Sequence, residues 1–165
     1  PKTSPYLAPV YALAEGVFLG ALSGFMQTIY PGIVLPAILL TFGVAGSLLA
    51  AYASGLVRAT ENFKLGIMAA TGGIAIVYLA TFVLGFMGIQ IPYIHGSGLI
   101  GIGFSLVVVV IAALNLVLDF DFIEKGVENG APKYMEWYAS FGLLVTLVWL
   151  YLELLRLLAK LQGRD

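Results

Sequence analysis

The chain has 165 residues, of which 61% are hydrophobic and 10% are charged, and its mean hydropathy is +1.00. Because a soluble domain has about 25% charged residues, this composition indicates an integral membrane protein. Its partner is therefore the lipid bilayer. The net charge of −1, without a basic cluster, gives no support to a nucleic-acid partner. The absence of cysteine excludes disulfides and thiolate metal sites, and the single histidine argues against a histidine-rich metal or haem site.

Long apolar stretches dominate the sequence. No charged side chain occurs from residue 16 to residue 57, and His95 is the only histidine or charged residue from residue 65 to residue 118. About 20 apolar residues suffice for a helix to cross a bilayer, so we predict an all-α fold, a polytopic transmembrane helix bundle forming a single domain over residues 1–165. Its spans are predicted in chain order at about residues 9–29, 33–53, 65–87, 99–122 and 134–161.

The first span carries a ladder of small residues, Gly16, Gly20 and Gly24, on one helix face. In lipid such ladders let helix backbones approach closely, because van der Waals packing replaces the missing hydrophobic drive. Packing within the bundle is the ordinary interpretation of this face. A homo-oligomer or a membrane-protein partner docked on it is the alternative.

Basic residues indicate the orientation of the spans. An odd number of spans puts the two chain ends on opposite faces of the membrane, and the face of the N-terminus collects more basic residues than the other face. Because basic loops tend to stay in the cytoplasm, we predict a cytoplasmic N-terminal face. The basic residues of that face are Lys2, Arg58, Lys64, Lys125 and Lys133, and those of the other face are Arg156, Lys160 and Arg164.

Acidic residues within or beside the apolar spans are the candidates for function, since a carboxylate in hydrocarbon is costly and marks an ion or proton site by default. Glu15 lies about six residues, or about 9 Å, into the first span. Asp119 lies in the last turn of the fourth span, which returns to the same face, so the two carboxylates are expected at comparable depth. Asn115, four residues before Asp119 on the same helix face, is expected to hydrogen-bond its carboxylate.

Two close carboxylates in a low dielectric cannot both stay ionised without cost, so a proton, a cation or an arginine must compensate. Arg58, in the loop on the same face, is the candidate for an ionic latch. The alternative is that Asp119 and Asp121 merely cap the fourth span at the water interface, and Asp121 is expected to be the more solvated of the two. They are not expected to clamp a metal together, because residues i and i+2 of a helix point apart.

The last span ends with Glu153 and Arg156, three residues apart, which are expected to form an interfacial pair that reaches to water. His95 lies in a predicted loop and is expected to be exposed. The sequence shows no nucleophile with a neighbouring base, no glycine-rich phosphate loop and no metalloprotease motif. We therefore do not expect an enzyme.

The most specific part of the sequence is its C-terminal third. It reads AALNLVLDFDFIE over residues 112–124, GAPKYMEWY over residues 130–138 and TLVWLYLELLRLL over residues 146–158. These segments resemble the bacterial branch of the Bax-inhibitor family, also called the transmembrane Bax-inhibitor-motif or YccA-like family. The segment EGVFLG, over residues 15–20, resembles the motif that opens the third helix of that family.

The resemblance implies a bundle of seven helices, of which this chain would provide helices three to seven and lack the first two. It also implies a pH-sensitive calcium leak channel of the bacterial inner membrane, without a resident cofactor. In characterised relatives, an aspartate on the sixth helix and one on the last helix share a proton and hold the pore closed. Asp119 matches the sixth-helix aspartate and would meet the Ca²⁺ ion, whereas Thr146 occupies the position of the second aspartate.

This departure from the family pattern leaves two alternatives. In the first, Glu15 supplies the second carboxylate from a different helix. In the second, the chain has lost proton-gated conduction and is a non-conducting regulator that binds another membrane protein. Some bacterial relatives interact with a membrane-bound protease, and eukaryotic relatives restrain cell death at the endoplasmic reticulum.

Overall fold

The computed structural model describes residues 3–56, 60–88 and 99–164. Within these ranges it contains five helices that are long and apolar enough to cross a membrane, which confirms the predicted all-α membrane fold. Arg58 and His95 lie outside the described residues. The helices are α1 (Ser4–Ile29), α2 (Val34–Ala53), α3 (Glu61–Phe86), α4 (Leu99–Glu128) and α5 (Tyr134–Arg164).

The helix ends extend beyond the predicted spans where local chemistry favours a further turn. α1 begins before residue 9 because Pro5 fits the first helical turn, where a backbone N–H is not needed. α3 begins at Glu61 because the Thr60 hydroxyl accepts a hydrogen bond from the Phe63 backbone N–H at 3.1 Å and caps the helix. Hydropathy marks only the apolar part of each helix, so these polar end turns were not predicted.

Side-chain contacts show which helix ends lie together at each end of the bundle. At one end, Lys64 at the start of α3 contacts Asp121 near the end of α4. At the other, Lys160 near the end of α5 contacts Gly101 at the start of α4. The end where α1, α3 and α5 begin is called the proximal end below, and the opposite one the distal end.

α5 is the central helix of the bundle, since it packs against α1, α2 and α4. α4 also packs against α2 and α3. In the most apolar stretches of α4 and α5, 39% of the residues are buried, against 6% in α1 and in α3. α1 and α3 are therefore peripheral, and the interior of the described bundle lies along α4 and α5.

The core between α4 and α5 is tightly packed. Leu116 on α4 and Leu150 on α5 are completely buried, and so is Ala112, whose small side chain lets the two backbones approach. A second cluster joins α2 to α5 through Ala37 and Leu155. This apolar packing fixes the rotation of α5 and thereby the directions of its polar side chains. The α4–α5 core consists of Val109, Ala112, Ala113, Leu116, Phe120, Leu150 and Leu154.

Candidate functional site

Asp119 lies between α4 and α5 toward the proximal end of the bundle. Its Oδ1 atom would lie 3.9 Å from a Cβ atom added to Gly142, and the Thr146 side chain is its hydrogen-bonding neighbour. Its Oδ2 atom is buried and has no hydrogen-bond partner among the described residues. The structure therefore brings together Asp119 and Thr146, the two positions that the family resemblance pairs.

The Thr146 hydroxyl has a single proton and two acceptors that compete for it. It donates to the Gly142 carbonyl oxygen at 3.1 Å, a bond within α5. A protonated Asp119 can donate to Thr146 Oγ1 and leave that bond intact, whereas an ionised Asp119 competes with the carbonyl for the same proton. An ionised Asp119 without full solvation is costly in such a place.

Asn115 does not hydrogen-bond Asp119, and this prediction was wrong. Its Nδ2 donates to Thr71 Oγ1 on α3 at 2.9 Å and to the Ile111 carbonyl oxygen at 2.8 Å. These two bonds use both N–H groups of the amide. The spacing of four residues places Asn115 and Asp119 one turn apart on α4. The Asn115 side chain nevertheless contacts α3, whereas the Asp119 side chain contacts α5.

Asp121 is less deeply buried than Asp119, as predicted, although its side chain is only 14% exposed. It forms ion pairs with Lys64 on α3 at 2.6 Å and with Lys125 on α4 at 3.3 Å. Asp121 thus ties the start of α3 to the end of α4. The two lysines balance the charge of Asp121. In the sequence they served only to predict the orientation of the spans. Arg58, the predicted latch residue, lies outside the described residues.

Glu15 lies on α1 and Asp119 on α4, and both helices pack against α5. The hydrogen-bonding neighbour of Glu15 is Tyr11, whose ring packs edge-on against Phe141 with the ring centroids 4.7 Å apart. Asp119 contacts the next residue, Gly142, and consecutive residues of a helix point about 100° apart. Within the described ranges α1 has no packing contact with α4. The buried Glu15 Oε2 atom has no hydrogen-bond partner among the described residues, and the alternative in which Glu15 supplies the second carboxylate stays a prediction.

Toward the distal end the structure holds a buried polar cluster, and the prediction of an interfacial pair there was wrong. Glu153 is 4% exposed and accepts a hydrogen bond from the Tyr78 hydroxyl at 2.8 Å. Arg156 donates to the same hydroxyl at 3.1 Å and lies over the Tyr78 ring, 5.2 Å from its centroid. Tyr78 of α3 therefore bridges the two side chains and covers Glu153 from the surroundings.

Lys160 is a functional candidate that the sequence analysis did not select. It is 5% exposed, and its Nζ donates to Ser105 Oγ at 2.7 Å and to the Gly101 carbonyl oxygen at 3.1 Å. The available signal was the spacing of seven residues from Thr146 to Glu153 and again to Lys160, which places all three on one face of a helix. All three are buried.

The glycine ladder of α1 is open in this structure. A Cβ atom added to Gly16, Gly20 or Gly24 would have no neighbouring atom within 4 Å. Among the described residues, no helix packs closely on this face, so the interpretation of the ladder as a packing surface within the bundle is not what the structure shows. Gly20 also lines an apolar cavity of about 300 Å³ between α1, α2 and α5.

The described residues offer Ca²⁺ only isolated oxygen ligands and no preformed group of ligands. Nowhere in the described part of the chain do three His, Cys, Asp or Glu side chains lie close enough to hold a metal ion. Ca²⁺ takes about 6–8 oxygen ligands, so Asp119 and Thr146 would supply only a minority of them.

Comparison with known proteins identifies the family of the chain. A family model described as Bax inhibitor 1 like matches residues 1–163. No curated protein and no solved structure matches the chain significantly. Because the family model covers nearly the whole chain, this protein belongs to the Bax inhibitor 1 like family of membrane proteins.

Proposed function

We propose that the protein is a pH-sensitive cation leak pathway that passes calcium and is gated by protonation of Asp119. The site lies toward the proximal end of the bundle, which the distribution of basic residues assigns to the cytoplasm, and the membrane is the bacterial inner membrane. The proposal involves no catalysis and no resident cofactor. The observation that carries it is the buried Asp119 Oδ2 atom, which has no hydrogen-bond partner among the described residues.

The position of Asp119 supports this function on physical grounds. A carboxylate that faces a hydroxyl between two packed helices is expensive to keep ionised and unpaired, so it binds either a proton or a cation. Proton and cation then compete for the same oxygens. This competition gives a cation pathway whose conductance depends on pH.

Purified protein in liposomes loaded with a calcium-sensitive dye tests the proposal. Calcium flux is measured at about pH 6 and about pH 8, on either side of neutrality, where a perturbed carboxyl group titrates. We expect flux that differs between the two values. Absence of flux at both values, with protein present in the liposomes and folded, would reject the leak pathway.

A non-conducting regulator that binds another membrane protein, such as a membrane protease, is the second candidate. Two observations favour it: Thr146 stands where the family pattern has a second carboxylate, and the glycine face of α1 is open. Open faces of small residues suit close packing of a further helix.

Replacing Gly16 or Gly20 by isoleucine tests this second candidate. Because an added Cβ meets nothing within 4 Å at either position, we expect the variants to fold and to lose the membrane proteins that crosslink to the wild type. Gly43→Ile, at an equally open glycine on α2, is the matched control and should keep them. Retention of every partner by all three variants would contradict this version of the function.

A further inference from the structure

A stripe of buried polar side chains runs along the central helix and is only partly used by the proposed gate. Thr146, Glu153 and Lys160 follow one another at intervals of seven residues on α5, about 10.5 Å apart along the helix axis. Each is less than 10% exposed. Thr146 belongs to the Asp119 site, whereas the other two lie toward the distal end and have no part in the gate proposed above.

The Lys160 ammonium group contacts oxygen atoms of the kinds that also bind metal cations. The group contacts a backbone carbonyl oxygen, that of Gly101, at 3.1 Å and a hydroxyl oxygen, that of Ser105, at 2.7 Å. Glu153 lies within electrostatic range of it. Carbonyl, hydroxyl and carboxylate oxygens are the ligands that hard cations prefer in proteins.

We propose that the Lys160 ammonium group is a tethered cation that occupies a monovalent cation site between α4 and α5. Its ligands are the Gly101 carbonyl oxygen and the Ser105 hydroxyl, with the carboxylate of Glu153 beside them. The side chain of Lys160 places a buried positive charge toward the distal end of the bundle. Removal of that charge leaves a site that Na⁺ or K⁺ fills from solution.

The charges of the cluster favour a monovalent occupant over a divalent one. By formal charge, Glu153 counts as −1 and Arg156 and Lys160 as +1 each, so the three together have a net formal charge of +1. A monovalent ion in place of the ammonium group keeps this balance, whereas Ca²⁺ would add a further positive charge to a buried cluster, at considerable cost. The buried Glu153 Oε2 atom has no hydrogen-bond partner in the described ranges, and its charge acts on the position of the ammonium group.

The contacts between Arg156 and Tyr78 explain why Arg156 does not occupy the proposed cation site. The guanidinium group donates to the Tyr78 hydroxyl and lies over its ring, so it is held on the α3 side of Glu153. Among the described residues, Lys160 is the one of the two cations that contacts oxygens of α4. The compact ammonium group of lysine also resembles a spherical metal ion more closely than the planar guanidinium group of arginine does.

Thermal unfolding of Lys160→Ala in detergent tests the site without any measurement of flux. The complete protein is heated in NaCl, in KCl and in N-methylglucamine chloride at equal ionic strength. A ligand that binds only the folded state stabilises it, so we expect the unfolding midpoint of the variant to rise by about 5 °C or more in Na⁺ or K⁺ at about 100 times the Kd. Wild-type protein should show no such difference, because its own ammonium group fills the site.

Matched variants separate a cation site from a structural tie. Lys133→Ala removes an exposed lysine of the α4–α5 loop and should behave like the wild type in all three salts. Glu153→Gln or Ser105→Ala, combined with Lys160→Ala, should abolish the response to Na⁺ or K⁺. Lys160→Gln, which keeps a polar side chain, serves if the alanine variant does not fold. Equal midpoints of the Lys160 variants in all three salts would overturn the proposal.

The consequence for conduction rests on the proposed leak function and is tested separately. If the bundle conducts, removal of the tethered charge should raise cation flux in liposomes severalfold, whereas Lys160→Arg should keep flux low. Stabilisation of Lys160→Ala by Na⁺ or K⁺, with no flux in any variant, would support the cation site and reject the leak. Flux in the wild type, with no salt-specific stabilisation of Lys160→Ala, would reject the cation site and leave the leak in place.

Discussion

Replacement of Asp119 by asparagine should abolish the pH dependence of calcium flux in liposomes. Asparagine has the shape of a protonated aspartate and carries no charge at any pH used. The flux of the variant should therefore be the same at about pH 6 and about pH 8, and should match that of the wild type at the lower value, where more of its Asp119 is protonated. Flux with an unchanged pH dependence would rule out Asp119 as the gate.

The immediate surroundings of Asp119 make this substitution a conservative one. The introduced side-chain amide would keep a donor that can reach Thr146 Oγ1, as a protonated Asp119 does, so the bond from Thr146 to the Gly142 carbonyl oxygen at 3.1 Å can persist. The variant is therefore expected to fold. Residue 119 should no longer contribute to the pH dependence of the unfolding midpoint of the variant. This measurement is a check that is independent of flux.

Asp121→Asn is the matched control for Asp119→Asn. It removes a carboxylate two residues further along α4 whose partners, Lys64 and Lys125, lie at the proximal end. Loss of these ion pairs should lower stability, and added salt should reduce the difference, because salt screens partly exposed charges. The pH dependence of flux should remain. An equal loss of pH dependence in both variants would point to a general charge effect at this end of the bundle.

The spans could be predicted from the sequence because hydrocarbon tolerates almost no charge. A helix that crosses a bilayer must be apolar over its whole length, so the absence of charged residues from 16 to 57 already indicates two spans with a turn. The pairing of Asp119 with Thr146 came from the family resemblance, and the structure places the two side chains together. The first inference depends on features that are local in the sequence, and the second depends on a family pattern.

The partners of the polar side chains could not be predicted in the same way, because they depend on the rotation of each helix against its neighbours. The spacing of four residues suggested that Asn115 bonds Asp119, but α3 supplies Thr71 instead. Glu153 was expected at the water interface, but Tyr78 from α3 covers it. In both cases the deciding residue lies far away in the sequence, on a helix whose contacts the sequence does not reveal.

Introduction of a carboxylate at Thr146 should produce the second large effect. Thr146→Asp places two carboxyl groups where Asp119 and Thr146 now face each other. Two adjacent carboxylates cannot both ionise readily, so one proton is retained to higher pH. We expect the pH of half-maximal flux to rise by about one unit or more relative to the wild type, measured by a titration of calcium flux in liposomes.

Further variants at Thr146 and Asp119 determine whether a shift of the midpoint comes from the second negative charge. Thr146→Asn is similar in size to the aspartate but neutral, so its midpoint should remain close to that of the wild type. The double variant Asp119→Asn with Thr146→Asp has one carboxylate on the opposite helix and should regain the pH dependence that Asp119→Asn loses, since the proton then resides on α5 at the same α4–α5 contact. A midpoint that moves equally in Thr146→Asp and Thr146→Asn would show that the hydroxyl of Thr146, and not the added charge, controls the response to pH.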